Sequence, residues 1–161
     1  NEAFAAQVIA CLRALADDGV IASSVQQIAE TARIVFLSLP AIQHVEAVCN
    51  GPDGLVANAR ALQTVVDMST SDVERTRQLA ATLGAAGIDL VDAPVARSRA
   101  AANNGTLLIT VGASESQFAA VKPYLDCMGS DVLHCGPTGA GHRVPALSRP
   151  RWRWNSARPA A

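Results

Sequence analysis

A chain of 161 residues, half of them apolar and 17% charged, has the length of one domain and the apolar content for a real core; that excludes an intrinsically disordered protein. Aromatic residues make up only 4%, so the core has to be built from Ala, Val, Leu and Ile. The net charge of −1 conceals an asymmetry: residues 1–141 carry eight basic against fourteen acidic side chains, whereas residues 142–161 carry five arginines (143, 149, 151, 153 and 158) and no acid.

No apolar run approaches the roughly 18 residues of a membrane-spanning helix, and no secretory signal is visible. Cys11, Cys49, Cys127 and Cys135 are scattered, with neither redox Cys-x-x-Cys nor zinc-knuckle spacing, so they read as free thiols in a reducing cytoplasm. The three histidines suggest no metal site. Asn104-Gly105-Thr106 has the form of a glycosylation sequon, which means nothing outside a secretory context. The chain opens on Asn1, an expectation of further residues upstream.

In chain order, Val8, Ile9, Leu12 and Leu15 space an amphipathic helix over Phe4–Ala16 that ends near Gly19. Val20–Ala22 is a short strand. Ser24, with Gln27 three residues on, predicts a capping box and a helix through Ala29. The apolar run Ile34–Leu39, stopped by Pro40, suits a strand buried on both faces. Val45–Val48 reads as helix, Gly51-Pro-Asp-Gly54 as a turn and Thr64–Met68 as the next strand. Ser71 or Asp72 caps a long helix to about Ala86. Ile88–Val91 and Thr106–Val111 are strands, Ser114 caps a helix to Leu125 interrupted by Pro123, and Val132–His134 is a last short strand. Such alternation predicts a doubly wound α/β fold with a mostly parallel sheet over residues 1–141. Residues 142–161, rich in Arg, Pro and Trp, show no period and read as an irregular tail.

The most informative stretch is Asp67 to Gly112. Asp67-Met-Ser-Thr70 and Asp92-Ala-Pro-Val95 each stand where an apolar run gives way to polar or turn residues. In an open α/β sheet such positions border the ligand crevice beyond the strand ends. Each candidate has two readings. Leu39-Pro40 is either a strand stopped by proline or backbone lying against a cofactor. Ser69 and Thr70 are helix caps or ligand donors. Arg97 and Arg99 are solvated surface residues or forks for a carboxylate, sulfonate or phosphate. Gly136-Pro-Thr-Gly-Ala-Gly141 lacks the Lys-Ser/Thr of a P-loop and reads as a plain turn. No nucleophile–base pair supports a hydrolase.

Leu39-Pro40, Asp67-Met-Ser-Thr70, Asp92-Ala-Pro-Val95, Gly105-Thr-Leu107, Met128-Gly129 and Gly139-Ala-Gly141 occur in this order. Together they resemble the β-hydroxyacid dehydrogenases, the family of 3-hydroxyisobutyrate dehydrogenase and tartronate semialdehyde reductase. The resemblance implies an incomplete Rossmann-type domain binding NAD or NADP, with Leu39, Pro40 and Thr70 on the nicotinamide cofactor. It places Ala96, Arg97 and Ser98 on the acid group of a small hydroxyacid. The common family form of that loop is Ser-Gly-Gly; the arginine resembles the branch that includes sulfolactaldehyde reductase and implies a larger or more strongly acidic anion. A homo-oligomer, with no nucleic-acid or membrane partner, is implied as well.

Two departures accompany the resemblance. The family's Gly-x-Gly-x-x-Gly pyrophosphate turn has no counterpart in these residues. Pro145 stands where the family pattern has its catalytic lysine, and Ser148-Arg149 where an asparagine follows. Proline cannot donate a proton, so no catalytic residue is assigned and the chain as given is expected to be inactive. The family's helical C-terminal domain is not seen either, and the sequence after Val144 resembles reading in a shifted frame. The alternative is a non-catalytic interaction module whose basic tail docks on an acidic partner.

Overall fold

A computed structural model describes Ile21 and residues 23–144. The expected Phe4–Ala16 helix and the sequence from Pro145 lie outside the described residues, as does the Val20–Ala22 strand apart from Ile21, which is exposed.

Local chemistry sets the element boundaries. Helix α1 (Val25–Thr31) starts at the expected capping box: the Ser24 hydroxyl accepts the Gln27 N–H while the Gln27 side chain accepts the Ser24 N–H. Strand β1 (Ile34–Leu37) is followed by α2 (Ile42–Asn50), the Gly51–Gly54 turn and a short α3 (Leu55–Asn58). Strand β2 (Thr64–Asp67) leads to α4 (Val73–Ala85), whose cap is Asp72, accepting the Arg75 N–H at 3.0 Å. Next come β3 (Asp89–Asp92), β4 (Val95–Ala96), α5 (Arg99–Asn103, capped by Ser98) and β5 (Leu107–Gly112). Helix α6 (Glu115–Leu125) opens on a second capping box, Ser114 with Gln117, and β6 (Gly129–Gly136) closes the sheet. A further helical segment starts at Ala140 and is described to Val144.

β1, β2 and β3 are parallel and adjacent, with Leu37 opposite Asp67 and Asp67 opposite Asp92. These three parallel strands advance in one direction only. β5 then runs antiparallel, a direction not expected from sequence. Asp92 faces Gly112, and β4 continues along the same side of β5, with Val95 opposite Ile109 and Ala96 opposite Leu108. Pro94, which has no N–H to give a ladder, marks the break between β3 and β4; its carbonyl still accepts from the Thr110 N–H at 3.3 Å. β6 pairs parallel to β5. The sheet is therefore mixed but mostly parallel.

Alternation along the strands feeds two cores, one on each face. Val35, Leu37, Val65 and Leu90 pack with Ile42, Val45, Cys49, Leu55, Leu79 and Leu83 beneath α1–α4. Val66, Val91, Ile109 and Val111 pack with Val121 and Leu125 of α6 on the other face. Each fully buried Leu or Val contributes on the order of 1.5–3 kcal/mol, so the parallel strands are held from both sides. The consequence for function is the shared level of Leu37, Asp67 and Asp92: the three loops that follow leave from one carboxyl edge.

Candidate functional site

The three loops are tied to one another by buried polar groups. Asp67, at the end of β2, is 1% exposed. One of its oxygens accepts the Ser69 N–H and the other the Ser71 hydroxyl, both at 2.9 Å. Ser69 is buried too, and its Oγ accepts the Leu39 N–H at 2.9 Å. That bond turns the chain out of β1 two residues before the expected strand end at Leu39. Neither Ser69 nor Thr70 caps α4, since Asp72 does. Ser69 is spent inside the protein, while Thr70 is exposed beside half-buried Leu39 and exposed Pro40.

Asp92, at the end of β3, is completely buried. Its Oδ1 accepts the Gly139 N–H at 2.6 Å and its Oδ2 the His142 N–H at 2.8 Å. Burial pushes the carboxyl up from its ordinary value; the Gly139 and His142 N–H groups and the His142 ring pull the other way. Gly136–Gly141, expected to be a plain turn, is therefore a cradle for the protein's own carboxylate. Gly141 has to be glycine here, because a Cβ would stand 2.5 Å from the Thr110 carbonyl oxygen and 2.6 Å from that of Asp92.

His142 was not anticipated from sequence, which put it at the start of the irregular tail. It is 3% exposed, so the packed domain extends past residue 141. Its Nε2 lies 2.9 Å from the Ser69 carbonyl oxygen, which can only accept, so Nε2 carries a proton. Its Nδ1 lies 3.2 Å from the Thr76 hydroxyl. The Asp67 and Asp92 carboxylates stand at 3.9 and 3.6 Å from the ring nitrogens. The only advance signal was its position directly after Gly139-Ala-Gly141.

The loop after β3 rises beyond this edge. Ala96 is half-buried in β4, and Ser98 caps α5 by accepting the Ala101 N–H at 3.4 Å. Arg97 has φ 88°, in the left-handed region that favours glycine. Its guanidinium donates to the Thr106 carbonyl at 2.7 Å, the Ser130 hydroxyl at 3.0 Å and Asp131 at 2.6 Å. The Ser130 hydroxyl and then Arg97 hold the Asp131 carboxyl below its ordinary value. Arg97 thus reaches β6 rather than the loops bearing Leu39 and Thr70, and Arg99 is exposed at the start of α5.

Among the described residues, no group of three or more His, Cys, Asp or Glu could hold a metal ion, and no helix is long and apolar enough to cross a membrane. A concavity of about 620 Å³ between the start of α1 and the Gly51–Gly54 turn is lined by none of Leu39, Pro40, Thr70 or Ala96–Ser98. At the edge itself, Ser38 and Thr70 are exposed, with half-buried Leu39 and exposed Pro40 in the loop after β1.

The 2-(hydroxymethyl)glutarate dehydrogenase of Eubacterium barkeri is 43% identical over 123 residues, 76% of this chain and 41% of that protein. The 3-hydroxyisobutyrate dehydrogenase of Pseudomonas aeruginosa is 40% identical over 120 residues, 74% of this chain and 40% of that protein. The chain thus spans about two fifths of the length of the curated relatives it matches. Among solved structures, Mycobacterium tuberculosis 3-hydroxyisobutyrate dehydrogenase with L-serine superposes with a TM-score of 0.72 at 28% identity, covering 79% of this chain and 43% of that one. Psf3 in complex with NADP+ and 2-OPP gives 0.73 at 25% identity, over 79% and 45%. These likenesses agree with the resemblance to β-hydroxyacid dehydrogenases carried by the six motifs. The family model for the NAD binding domain of 6-phosphogluconate dehydrogenase matches residues 3–136, and the chain belongs to that family.

Proposed function

We propose that this chain is the cofactor-binding part of an NAD- or NADP-dependent oxidoreductase acting on a β-hydroxyacid or its semialdehyde in the cytoplasm. The observation that carries the reading is the common level of Leu37, Asp67 and Asp92, which sends the motif-bearing loops out from one strand edge. The relatives named above supply the reaction class.

In this reading Leu39 and Pro40 form an apolar wall, and the Thr70 hydroxyl hydrogen-bonds the nicotinamide nucleotide, which when bound supplies or accepts the hydride. Ser69 and Asp67 hold Thr70 in place from beneath. Ala96, Arg97 and Ser98 border the substrate's acid group. Arg97 contributes through its Nε–H and the Nη2–H not committed to Asp131, and the bond to Asp131 keeps the fork from turning freely. No residue of this chain is assigned proton transfer, because Pro145 stands where the family pattern has its lysine.

Titration of the 161-residue chain with NADH and with NADPH, followed by nicotinamide fluorescence, tests this. Saturable binding is expected, with Thr70→Val weakening it roughly 5- to 10-fold, the size of one hydrogen bond, and no change in the unfolding midpoint. A folded chain that binds neither dinucleotide overturns the reading. Cofactor-dependent turnover of a hydroxyacid by the same chain overturns the absence of a proton donor.

A further inference from the structure

We propose that His142 is a positioning residue that holds the 68–71 loop in its cofactor-facing conformation; the inference rests on the functional reading above. The backbone and the ring of His142 serve two different strands. Its N–H is fixed on Asp92 at the end of β3, and its Nε2–H is fixed on the Ser69 carbonyl in the loop after β2. Ser69 in turn holds the Leu39 N–H after β1. One unbroken path of hydrogen bonds thus runs from Asp92 at the end of β3, through His142 and Ser69, to the loops bearing Thr70, Leu39 and Pro40.

The path is buried as far as Ser69: Asp92, His142 and Ser69 are all at most 4% exposed, and only its last bond, to the Leu39 N–H, is partly open to solvent. Water cannot take the place of a lost partner there, so breaking the ring contact leaves the Ser69 carbonyl to find another donor by moving the loop. Thr76 packs against the far side of the ring, with its oxygen 3.2 Å from Nδ1, while its hydroxyl donates to the Asp72 carbonyl at 2.7 Å, at the start of α4. His142 therefore cannot rotate away without disturbing the helix that follows Thr70.

Two isosteric substitutions separate positioning from filling space. The amide nitrogen of Gln reaches the place of Nε2, whereas Asn reaches only that of Nδ1. His142→Gln should preserve the bond to the Ser69 carbonyl, and His142→Asn should lose it while keeping a polar group near Thr76. Amide hydrogen exchange on the 161-residue chain is expected to accelerate roughly 5- to 10-fold at Leu39 and over residues 68–71 in His142→Asn. Exchange should remain near the original rate in His142→Gln, and β5 (Leu107–Gly112) should not change in either. The NADH or NADPH affinity should follow the same order. Equal effects of the two variants, or acceleration spread evenly over β5 as well, overturn the inference. So does a loosened loop with undiminished dinucleotide affinity. A chain that binds neither dinucleotide sinks the functional reading alone, and the Asn-against-Gln exchange pattern still decides whether His142 holds the loop.

Discussion

The Leu39 N–H donates to the Ser69 Oγ at 2.9 Å, joining residues thirty positions apart at the ends of two neighbouring parallel strands. The bond gives the Ser69 hydroxyl a role other than helix capping, and it places Leu39-Pro40 and Thr70 side by side. Ser69→Ala would leave the Leu39 N–H without its partner in a half-buried position. The expected cost is about 1–3 kcal/mol, read as a lower urea midpoint, together with weaker dinucleotide binding as the two loops part. A Ser69→Ala chain equal to the original in both measurements would show that the loops are held by other means.

The glycine at position 141 offers a harsher test. A Cβ there would meet two backbone carbonyl oxygens, those of Thr110 and Asp92, at 2.5 and 2.6 Å. Neither is the end of a flexible side chain, so the strand pair and the segment from Ala140 would have to separate. Gly141→Ala is expected to lower stability by about 1–3 kcal/mol, the usual scale of overpacking, and to release the Asp92 carboxylate from its two N–H donors. Thermal unfolding checks it. A variant that melts with the original would mean that the close approach of these segments is not maintained in solution.

Local signals in the sequence translated directly into structure. The Ser24/Gln27 box starts a helix because its partners lie three residues apart and need nothing else. The apolar runs became strands because both faces of β1–β3 are covered. The reversal at β5 was not legible, since hydrophobic alternation carries no strand direction; it follows from the Ala93-Pro94 break that lays β4 along β5. His142 was illegible for a different reason. Its ring partners Thr76 and Ser69 lie 66 and 73 positions away, and only the folded sheet brings them together. The loop after Asp92 was recognisable by motif, yet the destination of the Arg97 side chain depended on Asp131, on a strand with a weak pattern of its own.

Asp92 and Asp131 should bend the pH dependence of stability in opposite senses. Burial raises the Asp92 carboxyl above its ordinary value of 3.8, so over that window the folded chain binds more protons than the unfolded one. Its contribution therefore favours folding at the acid end and is lost as pH climbs. Asp131 is lowered from 3.8 by Ser130 and Arg97, so its contribution is present above that value and disappears as pH falls through its folded value. Urea midpoints between about pH 2.5 and 6 should show a flatter acid limb for Asp131→Asn. Asp92→Asn should lie lower throughout, because one of its two accepting oxygens is gone, and should gain more stability on going from about pH 4 to 6. An Asp92→Asn profile parallel to the original over that range would mean that burial does not raise this carboxyl.

Arg97 combines an unfavourable backbone with a favourable side chain, and two substitutions take the combination apart. At φ 88° a residue with a Cβ is strained, by about 1–2 kcal/mol where the strain is not relieved. The bond to Asp131, between two side chains open to solvent, returns less than that strain costs. Arg97→Gly removes both and should leave the urea midpoint close to the original. Arg97→Ala keeps the strain and removes the clamp, and should fall below Arg97→Gly by about 1 kcal/mol. Neither change should weaken NADH or NADPH binding, because the guanidinium reaches Thr106, Ser130 and Asp131 rather than the loops of Leu39 and Thr70. If alanine proves at least as stable as glycine, the left-handed backbone at Arg97 is not what the chain adopts. If dinucleotide affinity falls in both variants, Arg97 belongs to the cofactor's contacts and not to those of the acid group.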